Sequence, residues 1–315
     1  PPSFEKAGPR ERIYFNPQGL RCGIVTCGGL CPGINDVVRA VVLSLHYHYG
    51  VRAVLGFRYG YEGLNPELGH EPLLLTPDSV ETISTQGGTV LGTSRGEQPV
   101  PVMVDELVRQ GVSILFTVGG DGTLRGAQAI ANEVERRGLE IAVVGIPKTI
   151  DNDISYIFQS FGFQTAASEA QAAVEAAHTE AVAARNGIGL VKLMGRDSGF
   201  IAAYTALADS RVNYCLVPEN PFTVEALMPS LRKRLQGRGH AVIAVAEGAG
   251  QDLLRSDGGR DASGNVKYAD IGLYLRDNLK RCCLGEGMEI NLKYIDPSYT
   301  IRSVPANTFD SAFSL

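Results

Sequence analysis

Short apolar runs rich in β-branched residues recur along the chain, and the first three each lead into a turn rich in glycine or aspartate. The six runs span residues 23–26, 113–118, 141–146, 188–193, 214–217 and 241–246. Unbroken apolar runs of this length are typical of strands buried on both faces of a parallel sheet. The pattern therefore predicts parallel sheets with polar turns at the carboxyl ends of their strands.

Helical periodicity fills the intervals between these runs. Apolar residues follow Asn35 and Thr123 at three- and four-residue spacing, and residues 165–183 are rich in the helix formers Ala, Glu and Gln. Strand and helix thus alternate, which predicts an α/β, doubly wound fold whose ligands bind beyond the carboxyl ends of the strands. A domain change is expected near Thr165, and residues 254–264 are the best loop candidate.

Length and composition indicate a globular protein of one large or two ordinary domains. The 315 residues are 44% hydrophobic and 20% charged, with no apolar run long enough to span a membrane and no signal-peptide core in residues 1–14. The net charge of −5 disfavours general nucleic-acid binding. An anionic substrate must then be held by local cations and backbone N–H groups.

Cysteine usage favours neither a disulfide framework nor a zinc site. The six cysteines are Cys22, Cys27, Cys31, Cys215, Cys282 and Cys283. Their spacing matches no common zinc pattern, and no histidine cluster accompanies them. Reduced thiols in a cytoplasmic protein are the favoured interpretation.

Two glycine-rich turns are candidate phosphate sites. One is Gly119-Gly-Asp-Gly-Thr123, which follows a predicted strand and opens a predicted helix, and the other contains Gly28, Gly29 and Gly33. Glycine lets backbone N–H groups approach an oxygen-rich ligand, and a helix N-terminus favours anions. Asp121 is then a natural Mg²⁺ ligand. The structural alternative for each turn is a tight strand-to-helix connection, with Asp121 as a helix cap.

The turn Thr149-Ile-Asp-Asn-Asp153 differs in kind because it is acidic. It places Asp151 and Asp153 beside Thr149 and Lys148. Two neighbouring carboxylates can raise the pKa of one of them, which suits a general base for a sugar hydroxyl. Phosphoryl transfer requires such a base together with positioning and charge neutralisation. A solvated acidic turn with Asx hydrogen bonds is the alternative.

Taken together, five short motifs resemble the 6-phosphofructokinase family. They are Gly28-Gly29…Pro32-Gly33…Asn35, Gly92-Thr-Ser-Arg-Gly96, Gly119-Gly-Asp-Gly-Thr123, Pro147-Lys-Thr-Ile-Asp-Asn-Asp153 and Met194-Gly-Arg196, in the family's order. The similarity runs from about Gly23 to the end of the chain, and residues 190–199 and 294–297 resemble the plant and trypanosomatid ATP-dependent branch. The family implies two doubly wound domains with mostly parallel sheets and an active site in the cleft between them.

The resemblance also implies a division of the chain. Residues 1–162 are expected to form the domain that binds the phosphate donor, and residues 163–301 the domain that binds the sugar phosphate. Residues 302–315 are expected to begin a segment that returns to the first domain. Because relatives continue beyond this point, the chain as given is expected to be truncated.

Each matching residue acquires an expected role from the family. Asp151, with Asp153 beside it, resembles the base for the sugar 1-hydroxyl, Arg196 and Thr149 are expected to steady the phosphoryl group, and Asp121 is the expected Mg²⁺ ligand. The other residues expected at the ATP site are Gly29, Tyr61, Arg95, Gly96, Gly119, Gly120, Gly122, Thr123, Gly126 and Lys148. Those expected at the sugar are Thr149, Ile150, Asp151, Met194, Gly195, Arg196, Glu247, Lys293, Tyr299 and Arg302, with Lys293 reaching from a neighbouring subunit.

Several of these residues have a structural alternative. Met194 can simply fill a core, and Arg95 can be a solvated surface charge. Tyr61 and Tyr299 can be half-buried packing residues. Lys293, beside an apolar run, can lie on a solvated face.

Two positions bear on the identity of the donor. In the family, enzymes that use pyrophosphate carry Gly-Gly-Asp-Asp at the turn after the predicted strand at residues 113–118. This chain has Gly122 in place of the second aspartate, which leaves room for a nucleotide's α-phosphate. Lys148 points the other way, because pyrophosphate users carry lysine there. Since the branch that combines this glycine with this lysine uses ATP, ATP is the expected donor and pyrophosphate the alternative.

Two departures from the family pattern concern the 6-phosphate. Tyr299 stands where many bacterial enzymes have histidine, and a phenol can still donate to a phosphate oxygen. Gly187 stands where those enzymes place an arginine from the adjacent subunit. One cation is therefore expected to be missing or to come from elsewhere.

The sequence thus predicts an ATP-dependent 6-phosphofructokinase of glycolysis, with Mg²⁺ as cofactor, fructose 6-phosphate and ATP as partners, and a cytoplasmic, allosteric dimer or tetramer as its form. An NAD or lipid kinase shares the Gly-Gly-Asp-Gly-Thr turn but lacks the acidic and Met-Gly-Arg motifs. A Rossmann dehydrogenase requires a glycine spacing that neither turn fits. A non-catalytic regulatory subunit that binds sugar phosphate is a rival of another class, although such subunits usually lose the base or the clamping cation.

Overall fold

The chain folds around two β-sheets in the computed structural model, which describes residues 11–254, 259 and 266–315. Strand and helix alternate as the apolar pattern predicts, and all six predicted strand runs are strands. The loop predicted over residues 254–264 lies, apart from Leu254 and Gly259, outside the described residues. Across the described part of the chain, no helix combines the length and apolar character that crossing a bilayer requires.

The first sheet contains five strands. They are β1 (Arg21–Thr26), β2 (Ala53–Phe57), β3 (Leu73–Leu75), β4 (Ile114–Gly119) and β5 (Ala142–Pro147). Their order is β3-β2-β1-β4-β5, and all neighbours are parallel except β2 and β3. Because the chain leaves β1 toward one edge and β4 toward the other, a crevice opens where these two strands end.

The second sheet contains four strands, all parallel. They are β6 (Gly187–Leu193), β7 (Tyr214–Leu216), β8 (His240–Ala246) and β9 (Asn291–Ile295). Their order is β7-β8-β6-β9, so β6 lies between β8 and β9. The turns after β6 and β8 therefore lie side by side at one edge of this sheet.

Nine α-helices connect and cover the sheets in the described part of the chain. They are α1 (Ile34–Tyr47), α2 (Val100–Arg109), α3 (Asp121–Arg136), α4 (Phe163–Ala183), α5 (Phe200–Ala208), α6 (Val224–Arg238), α7 (Ile271–Gly285), α8 (Ser298–Arg302) and α9 (Thr308–Ser314). Short 3₁₀ turns span Gly60–Leu64, Pro66–Leu68, Asp78–Val80, Ile83–Thr85 and Gln251–Leu253. The fold is thus α/β with mostly parallel sheets, as predicted.

One continuous apolar core joins the two sheets. It includes Ile24 of β1, Val38 of α1, Ala170 of α4 and Leu190 of β6, all fully buried. A second cluster fills the other face of the first sheet, around Phe57. The shared core fixes the carboxyl ends of the two sheets relative to each other, because close-packed side chains transmit position.

Helix α9 adds a polar connection between α1 and α4. Asp310 is completely buried, and its Oδ2 accepts hydrogen bonds from the backbone N and the Oγ1 of Thr165, each at 2.6 Å. Ser311 Oγ donates to Oδ2 of Asp36 at 3.2 Å. Since α1 follows the first glycine-rich turn and α4 follows the acidic turn, α9 holds the start of one helix against the start of the other.

Candidate active site

Three loops meet at the crevice between β1 and β4. The backbone N of Cys27 donates to Val118 O at 2.9 Å, which ties the turn after β1 to the end of β4. The backbone N of Gly28 donates to Ser94 O at 3.1 Å, and Thr93 Oγ1 donates to Gly28 O at 2.7 Å. The predicted donor loops are therefore one connected structure.

A cavity of about 380 Å³ opens beside these loops. It is lined by Gly28, Gly29, Leu30, Thr93, Ser94, Arg95, Tyr299 and Arg302. A Cβ atom at Gly29 would lie 3.5 Å from Nη2 of Arg95 and 3.7 Å from Nη1 of Arg302, so two guanidinium groups converge on this glycine. Two cations above partly exposed backbone form an environment for an anionic group, and a longer side chain at position 29 would take up space beside them.

This cavity unites residues that the sequence assigns to different ligands. Arg95 is expected at the phosphate donor, whereas Tyr299 and Arg302 are expected at the 6-phosphate of the sugar. The Arg302 guanidinium stacks 4.7 Å from the centre of the Tyr299 ring, and its buried Nε has no hydrogen-bond partner among the described residues. Tyr299 itself is 74% exposed. The structure places all three on the same side of the first glycine-rich turn.

Lys148 is buried beneath the same turn. Its Nζ donates to Gly29 O at 2.5 Å, and its backbone N donates to Gly119 O at 2.9 Å. Burial lowers the pKa of Lys148, and the positive charges of Arg95 and Arg302 act in the same direction. The main observed role of the Lys148 side chain is thus to join the turn after β1 to the end of β5.

The turn after β4 presents Asp121 and Gly122 at the start of α3. Both are exposed. A Cβ atom at Gly122 would lie 3.9 Å from Nη2 of Arg125, one turn further along the helix. Arg125 is a cation that was not predicted at this turn, although its three-residue spacing from Gly122 on the helix that follows places it there.

The donor set at Asp121 fits Mg²⁺ held jointly with phosphates. Among the described residues, no three His, Cys, Asp or Glu side chains form a group that could enclose a metal ion. Mg²⁺ commonly takes only one or two carboxylates and completes its shell with phosphate oxygens and water. A single exposed carboxylate at the N-terminus of α3 fits this type of site.

Tyr61 supports the same turn from inside the protein. It is buried, its hydroxyl donates to Thr123 O at 2.6 Å, and a Cβ atom at Gly126 would lie 2.6 Å from its ring. Burial raises the pKa of Tyr61, so the phenol stays protonated. The position agrees with the packing alternative for Tyr61 and explains why residue 126 is glycine.

The acidic turn is held in shape by its own polar groups. Thr149 Oγ1 donates to Oδ1 of Asp153 at 2.7 Å and accepts from the backbone N of Asp151 at 3.2 Å. Asn152 adopts a left-handed conformation with φ of 57°, and its Oδ1 accepts from the backbone N of Ser160 at 2.7 Å. Asn tolerates this conformation better than most residues, so the turn can aim its two carboxylates differently.

Asp151 is buried, whereas Asp153 is exposed. Oδ2 of Asp151 accepts from the backbone N of Arg196 at 3.3 Å, and Oδ1 is buried without a partner among the described residues. Burial, followed by the negative charges of Asp153 and Glu247, raises the pKa of Asp151 to about 7. A carboxylate with one unpaired oxygen and a pKa near neutrality is suited to accept a proton.

The turns after β6 and β8 complete the surroundings of Asp151. Gly195 has a φ of 122°, and its O accepts from the backbone N of Gly248 at 2.9 Å. Glu247 is anchored to β6 by its backbone N, which donates to Leu193 O at 2.9 Å. Burial raises the pKa of Glu247, although the charges of Arg196 and Lys192 oppose this. The Arg196 guanidinium lies 4.5 Å from the centre of the Tyr268 ring.

The remaining predicted residues differ in position. Met194 is partly buried and packs against the shared core, and Ile150 is buried. Gly96 is exposed with a φ of 112°. Lys293 is an exposed residue within β9, paired with Gly189 of β6, so it belongs to the strand itself and not to the turn at its carboxyl end.

A charge cluster that the sequence did not predict lies behind the second sheet's turns. Lys192 Nζ is 3.0 Å from Oδ2 of Asp270 and 2.8 Å from Oδ2 of Asp296, and the Tyr294 hydroxyl donates to Asp270 at 2.9 Å. Burial alone would lower the pKa of Lys192, but the hydrogen bonds to Asp296 and Asp270 outweigh it and raise the pKa. The sequence feature that could have indicated this cluster is the lysine inside the apolar run at residues 188–193.

Lys148 links the glycine-rich turn after β1 to the start of the acidic turn, and Asp151 links the acidic turn to the Met-Gly-Arg turn of the second sheet. Two α/β units connected through such turns are the arrangement expected of a phosphotransferase. The model of the family described as Phosphofructokinase matches residues 21–314, so the chain belongs to this family and the predicted family is confirmed. Two relatives, from Borreliella burgdorferi and Trypanosoma cruzi, carry the name "ATP-dependent 6-phosphofructokinase". Each is 51% identical to this chain over 98% of this chain's length.

The chain spans 72% of the Borreliella relative and 64% of the Trypanosoma relative. The 51% identity to the Trypanosoma relative confirms the predicted likeness to the trypanosomatid branch. Among solved structures, Pichia pastoris phosphofructokinase in the T-state matches with a TM-score of 0.75 at 22% identity, over 99% of this chain and 33% of that one. At that identity the likeness confirms the fold.

Proposed function

We propose that this chain transfers the γ-phosphoryl group of ATP to the 1-hydroxyl of fructose 6-phosphate. The observation that carries the proposal is the carboxyl of Asp151, buried beside the turns of the second sheet with one oxygen unpaired. Kinship to relatives named ATP-dependent 6-phosphofructokinase supports the choice of donor and acceptor. The product is fructose 1,6-bisphosphate, as expected of a glycolytic kinase.

In the proposed reaction, Asp151 takes the proton of the attacking hydroxyl. Its pKa of about 7 leaves a substantial fraction ionised at neutral pH and still lets the carboxylate bind a proton. Arg196, one hydrogen bond away from Asp151, balances negative charge on the transferring group, and Thr149 fixes the turn that aims the carboxylate. Mg²⁺, when bound at Asp121, supplies charge neutralisation on the phosphate chain.

The donor would lie along the turns of the first sheet. The partly exposed backbone at Gly28, Gly29 and Gly120 and the N-terminus of α3 would provide N–H groups. The convergent cations Arg95 and Arg302 would add positive charge. Gly122 leaves space beside Arg125 for a further phosphate. The Lys148 amine already bonds Gly29 O, which weakens the reason for preferring pyrophosphate.

The acceptor site would use the second sheet. Met194, Gly195, Arg196 and Glu247 lie at the carboxyl ends of β6 and β8, next to Asp151. Residues 1–162 and 163–301 are accordingly proposed as donor and acceptor domains. A cytoplasmic dimer or tetramer with allosteric control is carried over from the family, and Lys293, exposed on β9, is the residue proposed to reach a neighbouring subunit.

The test measures turnover of the purified chain with fructose 6-phosphate and Mg²⁺, with ATP and pyrophosphate in parallel. We expect ATP to support turnover and Asp151→Asn to lower kcat by about two or more orders of magnitude, the range that loss of a general base reaches. The KM for sugar should change little. Asp78→Asn, at an exposed aspartate, controls for removal of one carboxylate.

Two results would contradict the proposal. Near-normal turnover by Asp151→Asn would exclude Asp151 as the base. If neither donor supports turnover but the chain still binds fructose 6-phosphate, the chain acts as a regulatory subunit instead.

A further inference from the structure

Residues 266–270 lie against the carboxyl ends of β6 and β8, next to the proposed acceptor site. Gln251 Nε2 donates both to Glu247 O at 2.7 Å and to Ala269 O at 3.0 Å. One side chain thus joins this segment to the residue that directly follows β8. No motif in the sequence marks the segment.

The C-terminal end of segment 266–270 is fixed by the charge cluster around Lys192. Asp270 accepts from Lys192 Nζ at 3.0 Å and from the Tyr294 hydroxyl at 2.9 Å. It also caps α7, because its Oδ1 accepts from the backbone N of Leu273 at 3.0 Å. Three rigid elements, β6, β9 and α7, therefore determine where the segment lies.

Tyr268 of this segment faces the Met-Gly-Arg turn. Its ring lies 4.5 Å below the guanidinium carbon of Arg196, and its hydroxyl donates to Oδ1 of Asp197 at 3.1 Å. Nη2 of Arg196 also donates to Val266 O. Burial raises the pKa of Tyr268, which keeps the phenol a donor at neutral pH.

Arg196 is therefore held at both ends. Its backbone N donates to the carboxylate of Asp151, and its guanidinium rests on Tyr268. A free arginine side chain samples many rotamers, and orienting it during the reaction has an entropic cost. A guanidinium that is already oriented by an aromatic face avoids most of this cost.

We propose that Tyr268 is a positioning residue that orients the Arg196 guanidinium relative to Asp151. The inference rests on the proposed function, in which Arg196 balances charge on the transferring phosphoryl group. In this proposal Tyr268 acts on the reaction through Arg196, and its bond to Asp197 serves to hold the ring beneath the guanidinium. Its effect must therefore disappear when Arg196 is absent.

A double-mutant cycle tests this dependence. We expect Tyr268→Ala to lower kcat for fructose 6-phosphate and ATP by about tenfold, as loss of a cation–π contact and its hydrogen bond implies, with a smaller change in KM for ATP. Tyr268→Phe keeps the ring and loses only the bond to Asp197, so its loss should be about two- to threefold. In the Arg196→Ala background, Tyr268→Ala should have no further effect.

A second measurement does not depend on turnover. Phenylglyoxal modifies arginine, and peptide mass spectrometry can follow Arg196 alone. Modification of Arg196 should be several-fold faster in Tyr268→Ala than in the wild type and near the wild-type rate in Tyr268→Phe. Tyr47→Ala, at an exposed tyrosine that ends α1, is the matched control. It should change neither kcat nor the rate at which Arg196 is modified.

The outcomes separate the two proposals. Equal losses from Tyr268→Ala with and without Arg196, or an unchanged modification rate, would overturn the positioning role. A wild-type chain that turns over with neither donor would overturn the proposed function, and the modification experiment would then still decide the placement of Arg196.

Discussion

Replacing Asp151 by Asn should stabilise the fold at alkaline pH while removing activity. The pKa of Asp151 is raised from 3.8 to about 7, mainly by burial. Each pKa unit corresponds to about 1.4 kcal/mol, so ionising this carboxyl in the folded chain costs about 4 kcal/mol. The neutral amide of the Asp151→Asn variant would carry no such cost. A residue that activity requires can in this way lower the free energy of unfolding.

The pH dependence follows from which state holds the proton. Because the folded-state pKa lies above the ordinary value, the folded chain keeps this proton to higher pH than the unfolded chain does. The destabilisation is absent below the ordinary pKa, grows as the pH rises toward 7, and is constant above it. The advantage of Asp151→Asn over the wild type should therefore grow by about 3 kcal/mol between about pH 5 and pH 8.5.

Urea denaturation of both proteins at these two pH values measures the effect. Asp78→Asn, which removes an exposed carboxylate, should show no comparable pH-dependent gain. A constant stability difference between Asp151→Asn and the wild type at both pH values would refute the raised pKa. It would also remove the main electrostatic reason for assigning Asp151 as the base.

Two further changes test other parts of the structure. Gly122→Asp should lower kcat/KM for ATP by about tenfold or more, since a like charge about 4 Å from a phosphate costs roughly 1–4 kcal/mol; Gly122→Ala, whose methyl has room 3.9 Å from Arg125, should lose much less. An unaffected ATP rate in Gly122→Asp would mean that the donor lies elsewhere. Asp310→Ala should lower the free energy of unfolding by about 3 kcal/mol, because it leaves two buried donors of Thr165 unpaired. Asp310→Asn, which keeps one acceptor oxygen, should lose about 1 kcal/mol, and equal losses in both variants would contradict the capping role.

Much of the architecture could be predicted from apolar runs, because strands buried on both faces leave an unbroken trace in the sequence. Strand β2 (Ala53–Phe57) is short and interrupted by Gly56, and β9 (Asn291–Ile295) alternates polar and apolar residues as an edge strand does. Neither matches the pattern of a fully buried strand. These elements depend on neighbours that are distant in sequence.

The motif residues around Asp151 could be predicted from the acidic turn itself and from the family resemblance, and the structure places the backbone of Arg196 against this carboxylate. The supporting contacts could not be predicted. Lys192 reads as an interruption of an apolar strand until Asp270 and Asp296 are placed beside it. Tyr268 carries no motif, and its role depends on a ring that reaches Arg196 across about 70 residues of sequence.

The bond from α9 to Asp36 has a topological consequence. The polypeptide leaves the first sheet after β5, builds the second sheet, and then returns to contact α1 through Ser311. A single proteolytic cut within the acidic turn would thus produce two polypeptides that remain one particle. Separating them would require breaking the bond from Ser311 to the buried carboxylate of Asp36 and opening the shared core, whereas the bonds of Asp310 to Thr165 lie within one of the two polypeptides.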